Sequence, residues 1–561
     1  MEANTTDETW DAIVVGSGAG GLTTAACLAG AGRRVLVLEA HDVAGGNTQV
    51  FRRHHGDDWY EFDVGVHYLG ECGDGGLFPA IFGGLGVADR MQWSQLDPDG
   101  FDTLSFPDLT FRVPAGWDAY QERLVEQFPD DRAGLERCIR TLRDVADQTR
   151  LIFGEDRPAY DEWAYRPLSE LFEECELSTQ AAAVLDHWSG LYAGGPSQTA
   201  TVMHAQIIGH YMSGAYYPEG GGQMIAARLV QVIEAFGGEV RTMSPVERIV
   251  VEEGRARGVE LASGERLSAE LVVSNADHRR TVTQLLREED ISPGTRAWAR
   301  DAVMTLGLVC VYVVVDVELD GPNTNYFVFP NYRTDGLYED LDRGELPDTG
   351  VPFAYIAMAS RKDPGNSHLC PPGHTNFQIM TLAPRGYEWW GIETGPADGG
   401  QYRREKTYRA RKQEITDKLL DAAESVLGPF RDHVVHCEMA STLSHERYTR
   451  SSEGTSYGYR HSPDQIGEHR PHYRTEIPGL WVVGAGTVGG HGVAGAMSGG
   501  VLCASDILER PLIAEFYLGQ ALVDADSVPP DPPDFDPLEL CRGERLRDRR
   551  AAGVVARADV D

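Results

Sequence analysis

Gly16-Ser17-Gly18-Ala19-Gly20-Gly21 places three glycines at the G-x-G-x-x-G spacing that cradles a diphosphate. Gly16 allows a tight turn, Gly18 lets the backbone approach the pyrophosphate, and Gly21 permits a helix to pack closely on a strand. Further on, Glu39 stands where a carboxylate accepts hydrogen bonds from the hydroxyls of an adenosine ribose, which favours a ribose without a phosphate. Ala40 follows it, and a second glycine pair, Gly45-Gly46, precedes Asn47. Such a pair suits the passage of a flavin cofactor's diphosphate and ribityl region, so these residues favour FAD over NAD.

A phosphate loop of this kind works only between a strand and a helix. The apolar run over 11–15 reads as a buried strand, 20–31 as the helix after the loop, and 35–38 as a second strand. Residues 114–213 carry Arg- and Glu-rich helical stretches and read as a helical insertion. From 240 onward short β-branched runs over 246–252, 257–261 and 271–274 predict a small sheet returning beside the first strand. Runs over 305–317 and 326–329 predict strands of a second unit, 479–483 a final buried strand, and 493–508 the helix after it. The fold expected is α/β: a Rossmann-type FAD-binding domain, three-layer ββα and discontinuous, from 1–115, 215–300 and 430–510. A second, mixed α+β substrate-binding domain takes 116–214 and 301–429. The tail, 511–561, is expected to be partly disordered because 528–537 is rich in Pro and Asp.

The 561 residues suffice for two or three domains and a large buried cavity. A net charge of −36 repels phosphate backbones and anionic lipid, which argues against a nucleic-acid partner. The polar, acidic start and the lack of a long apolar run predict a cytoplasmic protein. Nine scattered cysteines with no C-x-x-C pair point to reduced thiols. No metal site is expected, because no metal-ligand spacing is present, and no nucleophile elbow anchors a Ser-His-Asp arrangement.

Four separated blocks together resemble the phytoene desaturase, carotenoid isomerase and retinol saturase group of FAD-dependent, amine-oxidase-like flavoproteins. The first is the phosphate loop with Gly45 to Thr48 and the passage from Tyr60 through Asp63 to Tyr68. The second is His210 to Gly221, with Tyr217-Pro218-Glu219-Gly220-Gly221, and is most similar to the retinol saturases. The third includes Val246 to Ile249 and Val272 to Asp277. The fourth is Pro478 to Gly486 followed by Gly489-Gly490-His491-Gly492-Val493, where His491 and Ala494 depart from the group's pattern.

The resemblance implies that Val246 gives backbone contacts to the adenine, that Asn275 lies near the cofactor, and that Gly484, Gly486, Gly492 and Val493 pass its flavin end. A helix beginning near Val493 would present free N–H groups to negative charge on the flavin pyrimidine. By the same placement His67, Tyr68, Tyr217 and His491, with Tyr216, become candidate proton donors. Trp188, Tyr192, Tyr211, Tyr216, Tyr217, Trp389 and Trp390 become candidate walls of a lipid tunnel, a use that competes with core packing. The activity implied is saturation or desaturation of carbon–carbon double bonds in a hydrophobic polyene such as a retinoid or carotenoid. A redox-neutral carotenoid isomerase, a flavin amine oxidase and a GDI-like prenyl-binding protein are the alternatives. NAD(P)H is the candidate electron donor, and weak peripheral membrane contact would serve substrate access. Oligomeric state is not legible.

Overall fold

The computed structural model describes residues 9–56, 58–149 and 156–551. The first strand, Thr9–Val15, is buried on both sides: Ala12 and Val14 pack under one layer, Ile13 and Val15 under the other. That is the period-two alternation of a strand covered on both faces. Val35–Leu38 and Arg266–Ser274 flank it in parallel, with Glu239–Arg241 and Leu480–Val482 beyond them. Helices Ala19–Gly30, Gln223–Ala235 and Gly492–Leu508 cover one face. An antiparallel ribbon, Val246–Glu252 with Arg255–Leu261, contributes Ile249 and Val259 to the core on the other. The result is the α/β, three-layer arrangement expected.

A second, mostly antiparallel sheet runs in the order Val434–Ala440, Leu308–Val315, Thr375–Leu382, Ala354–Ala357, Asn325–Val328, Asp102–Phe106, Leu109–Val113. Along Leu308–Val315 the alternation sorts the faces. Val309, Val311 and Val313 join a core with Ile415 and Leu419 of the long helix Lys406–Leu427, while Cys310, Tyr312 and Val314 face the helical insertion. The boundaries drawn at 115 and 430 put 102–113 and 434–440 in the first domain, whereas their hydrogen bonds place them in the second sheet. Their alternation fits either sheet; only the pairing decides. The insertion is helical as expected: Arg132–Gln148 buries Leu135, Cys138, Ile139, Leu142 and Val145, a stripe at helical spacing.

Over 511–551 the tail is more ordered than its composition suggests. Leu512–Tyr517, Pro537–Leu540 and Glu544–Ala551 are helices packed on the first unit, and 552–561 lie outside the described residues. Phe516 lies over Gly84, Ala44 N–H donates to the Cys541 carbonyl at 2.7 Å, and Arg52 pairs with Asp536 at 2.6 Å. Composition misled because it averages the stretch: five of its apolar side chains, Leu512, Phe516, Val523, Val528 and Leu538, are buried, and burial of each opposes the ordering entropy.

Candidate cofactor and substrate cavity

One cavity of about 2990 Å³ connects the phosphate loop to a chamber between the second sheet and the insertion. At the loop, Gly16 has φ +91° and its N–H donates to the Leu38 carbonyl at 2.8 Å; the left-handed conformation favours glycine. Ser17 to Gly20 line the cavity, and no side chain caps the helix that begins at Ala19. Its first N–H groups and positive dipole end are therefore available to an anion. Gly21 stands behind the loop, where a Cβ would lie 2.5 Å from the Gly16 carbonyl oxygen. Glu39 accepts from Ser17 N–H at 2.9 Å and from its hydroxyl at 2.6 Å, and from His41 N–H at 2.8 Å. A carboxylate retains lone pairs beyond these three bonds. Ala40, Gly45, Gly46, Asn47 and Val246 continue the same wall.

Asn275 does more than line the cavity. Cβ atoms placed on Gly18, Gly21 or Gly484 would come within 2.7–2.9 Å of its side chain. Its amide is thus a wedge between the phosphate loop and the final strand loop, and part of the glycine pattern exists to admit it. On the far side Gly484, Gly486, Gly492 and Val493 line the cavity, and Gly492–Leu508 likewise starts without a side-chain cap. Two uncapped helix starts, a glycine cradle and an acid with spare lone pairs, all on one cavity, fit a flavin dinucleotide.

The chamber walls are Tyr68, Tyr211, Tyr312, Phe327, Tyr355 and Met380. Tyr68 stacks on Tyr211 at 4.3 Å, and its hydroxyl donates to Asp102 at 3.1 Å. His67 and His491 also line the cavity, and burial holds them neutral, lowering them to about 3 and about 4. Neither is a cationic acid near neutral pH. Tyr217, a candidate proton donor by sequence, does not line the cavity: it is buried behind the wall, where its hydroxyl donates to Asp63 at 2.5 Å. Of the ring residues singled out as tunnel walls, Tyr211 lines the cavity, whereas Trp188 stacks behind it and Tyr192, Tyr216, Trp389 and Trp390 lie off the cavity. Large rings pack cores as readily as they line tunnels.

Sequence reasoning missed Lys362. Its ammonium, 1% exposed, donates to the His67 carbonyl and the Asn325 side chain, both at 2.6 Å. Asn325 donates in turn to Asp102 at 2.9 Å, which also receives the Trp188 indole at 3.2 Å. Burial, opposed by Asp102 and Asp63, lowers Lys362 to about 7; burial, opposed by Tyr217 and Gly222, raises Asp63 to about 7. No periodicity or motif marks Lys362, and its partners lie far away in the chain.

A phosphate loop and a second helix start meeting across one cavity define a flavin-dependent oxidoreductase. The chain belongs to the flavin containing amine oxidoreductase family, whose model matches residues 19–508. It is similar to the human all-trans-retinol 13,14-reductase, 29% identical over 92% of this chain and 88% of that protein. It also resembles a chloroplastic prolycopene isomerase of an Oncidium hybrid, 27% identical over 89% of this chain and 83% of that one. Among solved structures, an oxidoreductase from Methanosarcina mazei matches with a TM-score of 0.62 and 18% identity over 90% of this chain and all of that one, a likeness of fold.

Proposed function

We propose that the protein binds FAD along this cavity and reduces a carbon–carbon double bond of a hydrophobic polyene. The observation that carries the reading is the continuity of the phosphate-loop end with an aromatic chamber in one cavity. In the proposal Gly16, Ser17, Gly18, Ala19 and Gly20 hold the diphosphate against the helix start, and Gly21 sets how closely that helix approaches. Glu39 accepts from the ribose hydroxyls, Val246 meets the adenine, and Gly492 and Val493 offer N–H groups to the pyrimidine edge. FAD, when bound, supplies an electron-pair carrier that takes up or delivers a hydride.

The rest falls to the chain. Tyr68 and Tyr211 hold a flat, extended ligand and exclude water. Among the proton-bearing groups on the wall are Tyr68 Oη, held against Asp102, and the neutral rings of His67 and His491. Leu518 and Tyr517, 74% and 50% exposed, line the cavity where it reaches the surface, which supports peripheral contact with a membrane for substrate entry. No helix among the described residues is long and apolar enough to cross one. NAD(P)H is the proposed source of electrons.

The test is a single turnover. Enzyme reduced without air and given all-trans-retinol should reoxidise and yield a product heavier by two hydrogens. The similarity to a prolycopene isomerase favours a second reading, in which the product has unchanged mass. Rapid reduction of the resting enzyme by a simple amine, without reaction of any polyene, would overturn both. A GDI-like role without a dinucleotide is disfavoured by the intact loop and Glu39.

A further inference from the structure

The chain carries 86 acidic residues against 50 basic ones, yet 402–413 hold six basic side chains and one acid. The stretch forms the first turns of helix Lys406–Leu427 and the segment leading into it. Arg403, Arg409 and Lys412 line the cavity there, across a groove from Cys437 and Glu438 of strand Val434–Ala440. Arg53, from the hairpin strand Val50–His55, lines the same groove.

The acids nearby are already engaged. Glu438, the carboxylate on this part of the wall among the described residues, pairs with Arg53 at 3.0 Å. Asp417, a turn farther along the helix, lies off the cavity and accepts from Gln413 Nε2 at 2.9 Å. Arg409 donates through Nε to the Arg403 carbonyl at 3.1 Å, and its two terminal nitrogens make no hydrogen bond or ion pair among the described residues. Lys412 Nζ makes neither; its contact is the Tyr408 ring, 5.5 Å away. Arg409 is exposed and Lys412 half-buried, so both cations are open to the groove. Burial lowers Lys412 below its ordinary value against the pull of Glu438, and the like charge of Arg403 adds to the lowering. Cations gathered beside one already paired carboxylate repel one another and are relieved by an anion.

The groove leads inward. Ala440, Ser441 and His445 continue its lining, and His445 Nε2 lies 3.0 Å from Asn47 Oδ1 on the cofactor wall. From Glu438 to Ser441 the chain advances about 10 Å at the rise of a strand. A ligand that uses the whole groove has an anionic head at Arg409 and Lys412 and an arm of that length reaching toward Asn47. A nicotinamide dinucleotide has this form, with its nicotinamide one ribose beyond the diphosphate. The loop at Gly16 to Gly20 already answers the diphosphate of FAD, and a polyene offers these cations no charge. Cations recessed between two walls suit a small anion better than the broad face of an acidic protein.

We propose that the groove between Lys406–Leu427 and Val434–Ala440 is the docking site of the reduced nicotinamide nucleotide, with Arg409 and Lys412 holding its diphosphate and Arg403 beside them. The assignment rests on the NAD(P)H reading above and gives that donor a place in the fold.

The test uses the flavin-loaded enzyme, with NADPH as reductant and NADP+ as a probe that cannot reduce it. Calorimetry should give NADP+ a dissociation constant that weakens as salt rises. The double variant Arg409→Gln, Lys412→Gln should weaken it at least about tenfold and flatten the salt dependence, while flavin content and melting temperature stay as in the parent. Lys412→Arg, which keeps the charge, should keep the affinity. In rapid mixing without air, the limiting rate of flavin bleaching by NADPH should match the parent's in the double variant, and the half-saturating concentration alone should rise. If the double variant fails to fold, Arg409→Gln alone and the salt dependence of the parent decide. Bleaching with the same half-saturating concentration in parent and variant overturns the site and leaves the electron donor standing. No bleaching by NADPH or NADH removes the donor reading and this assignment with it. Unchanged NADP+ affinity in a variant that no longer binds phosphatidylglycerol vesicles, or no longer accepts electrons from a reduced ferredoxin, gives the groove to that partner and overturns the proposal.

Discussion

The two ends of the cavity are built by different means. At the phosphate-loop end the polar groups offered are mostly backbone N–H of short, consecutive segments, with glycines clearing space around the Asn275 wedge. At the chamber end the offered groups are side chains, each held by a partner distant in sequence: Tyr68 by Asp102, Asp102 by Asn325, Asn325 by Lys362. Backbone geometry is the same for every ligand, so the first end suits an invariant cofactor. Side-chain networks can be altered one residue at a time, so the second end suits discrimination among substrates.

The largest expected effect falls on the first end and comes from the tail. Ending the chain at Arg510 removes Phe516 from Gly84, Val523 from Gly30, and the carbonyl of Cys541 from Ala44. Each buried apolar side chain lost is worth about 1.5–3 kcal/mol. The truncated protein should melt far lower and lose flavin on gel filtration. Full retention of flavin would show that the tail packs without supporting the cofactor end.

Gly21→Val should come next. Its Cβ would meet the Gly16 carbonyl oxygen at 2.5 Å and Asn275 Cβ at 2.8 Å, and backbone cannot step aside as a side chain can. Overpacking of this kind costs about 1–3 kcal/mol and should also pull the helix start off the loop. The flavin-to-protein absorbance ratio should collapse; an unchanged ratio would remove the close-packing role given to Gly21.

Lys362→Met sharpens the comparison from the other end. It leaves the Asn325 and His67 oxygens without their donor at a cost of about 1–3 kcal/mol and spares every phosphate-loop contact, so flavin content should hold while polyene affinity falls. It also carries a pH signature. Lys362 lies near 7 in the fold against an ordinary 10.5, so between those values the unfolded chain holds a proton that the folded one has released. Its contribution to stability therefore rises with pH across that window and is lost as pH falls toward 7. The variant should lack that rise in urea midpoints measured from pH 7 to pH 10. A parallel curve for parent and variant would place the titration elsewhere.

The same contrast explains what the sequence makes legible. Gly16 to Gly21, Glu39 and the strands around them are local: a few consecutive residues with a fixed period state the whole geometry. The helix start at 492 is legible for that reason too. Lys362, Asn325 and Asp102 come together only when both sheets and the insertion have folded, and no spacing announces them. Tyr217 misleads for the same reason: its block is recognisable, but whether its ring meets the cavity or turns to Asp63 depends on the neighbouring strand. The tail shows the remaining limit, since Pro and Asp content outweighs five well-spaced apolar residues.

The central claim is that the two ends are one site, and the most direct measurement is the visible spectrum of the purified enzyme during titration with all-trans-retinol. The protein should be yellow, release FAD on denaturation, and show a saturable shift of its flavin bands at one polyene per flavin. A colourless protein that FAD cannot reconstitute would contradict the account, as would polyene binding that leaves the flavin spectrum unchanged.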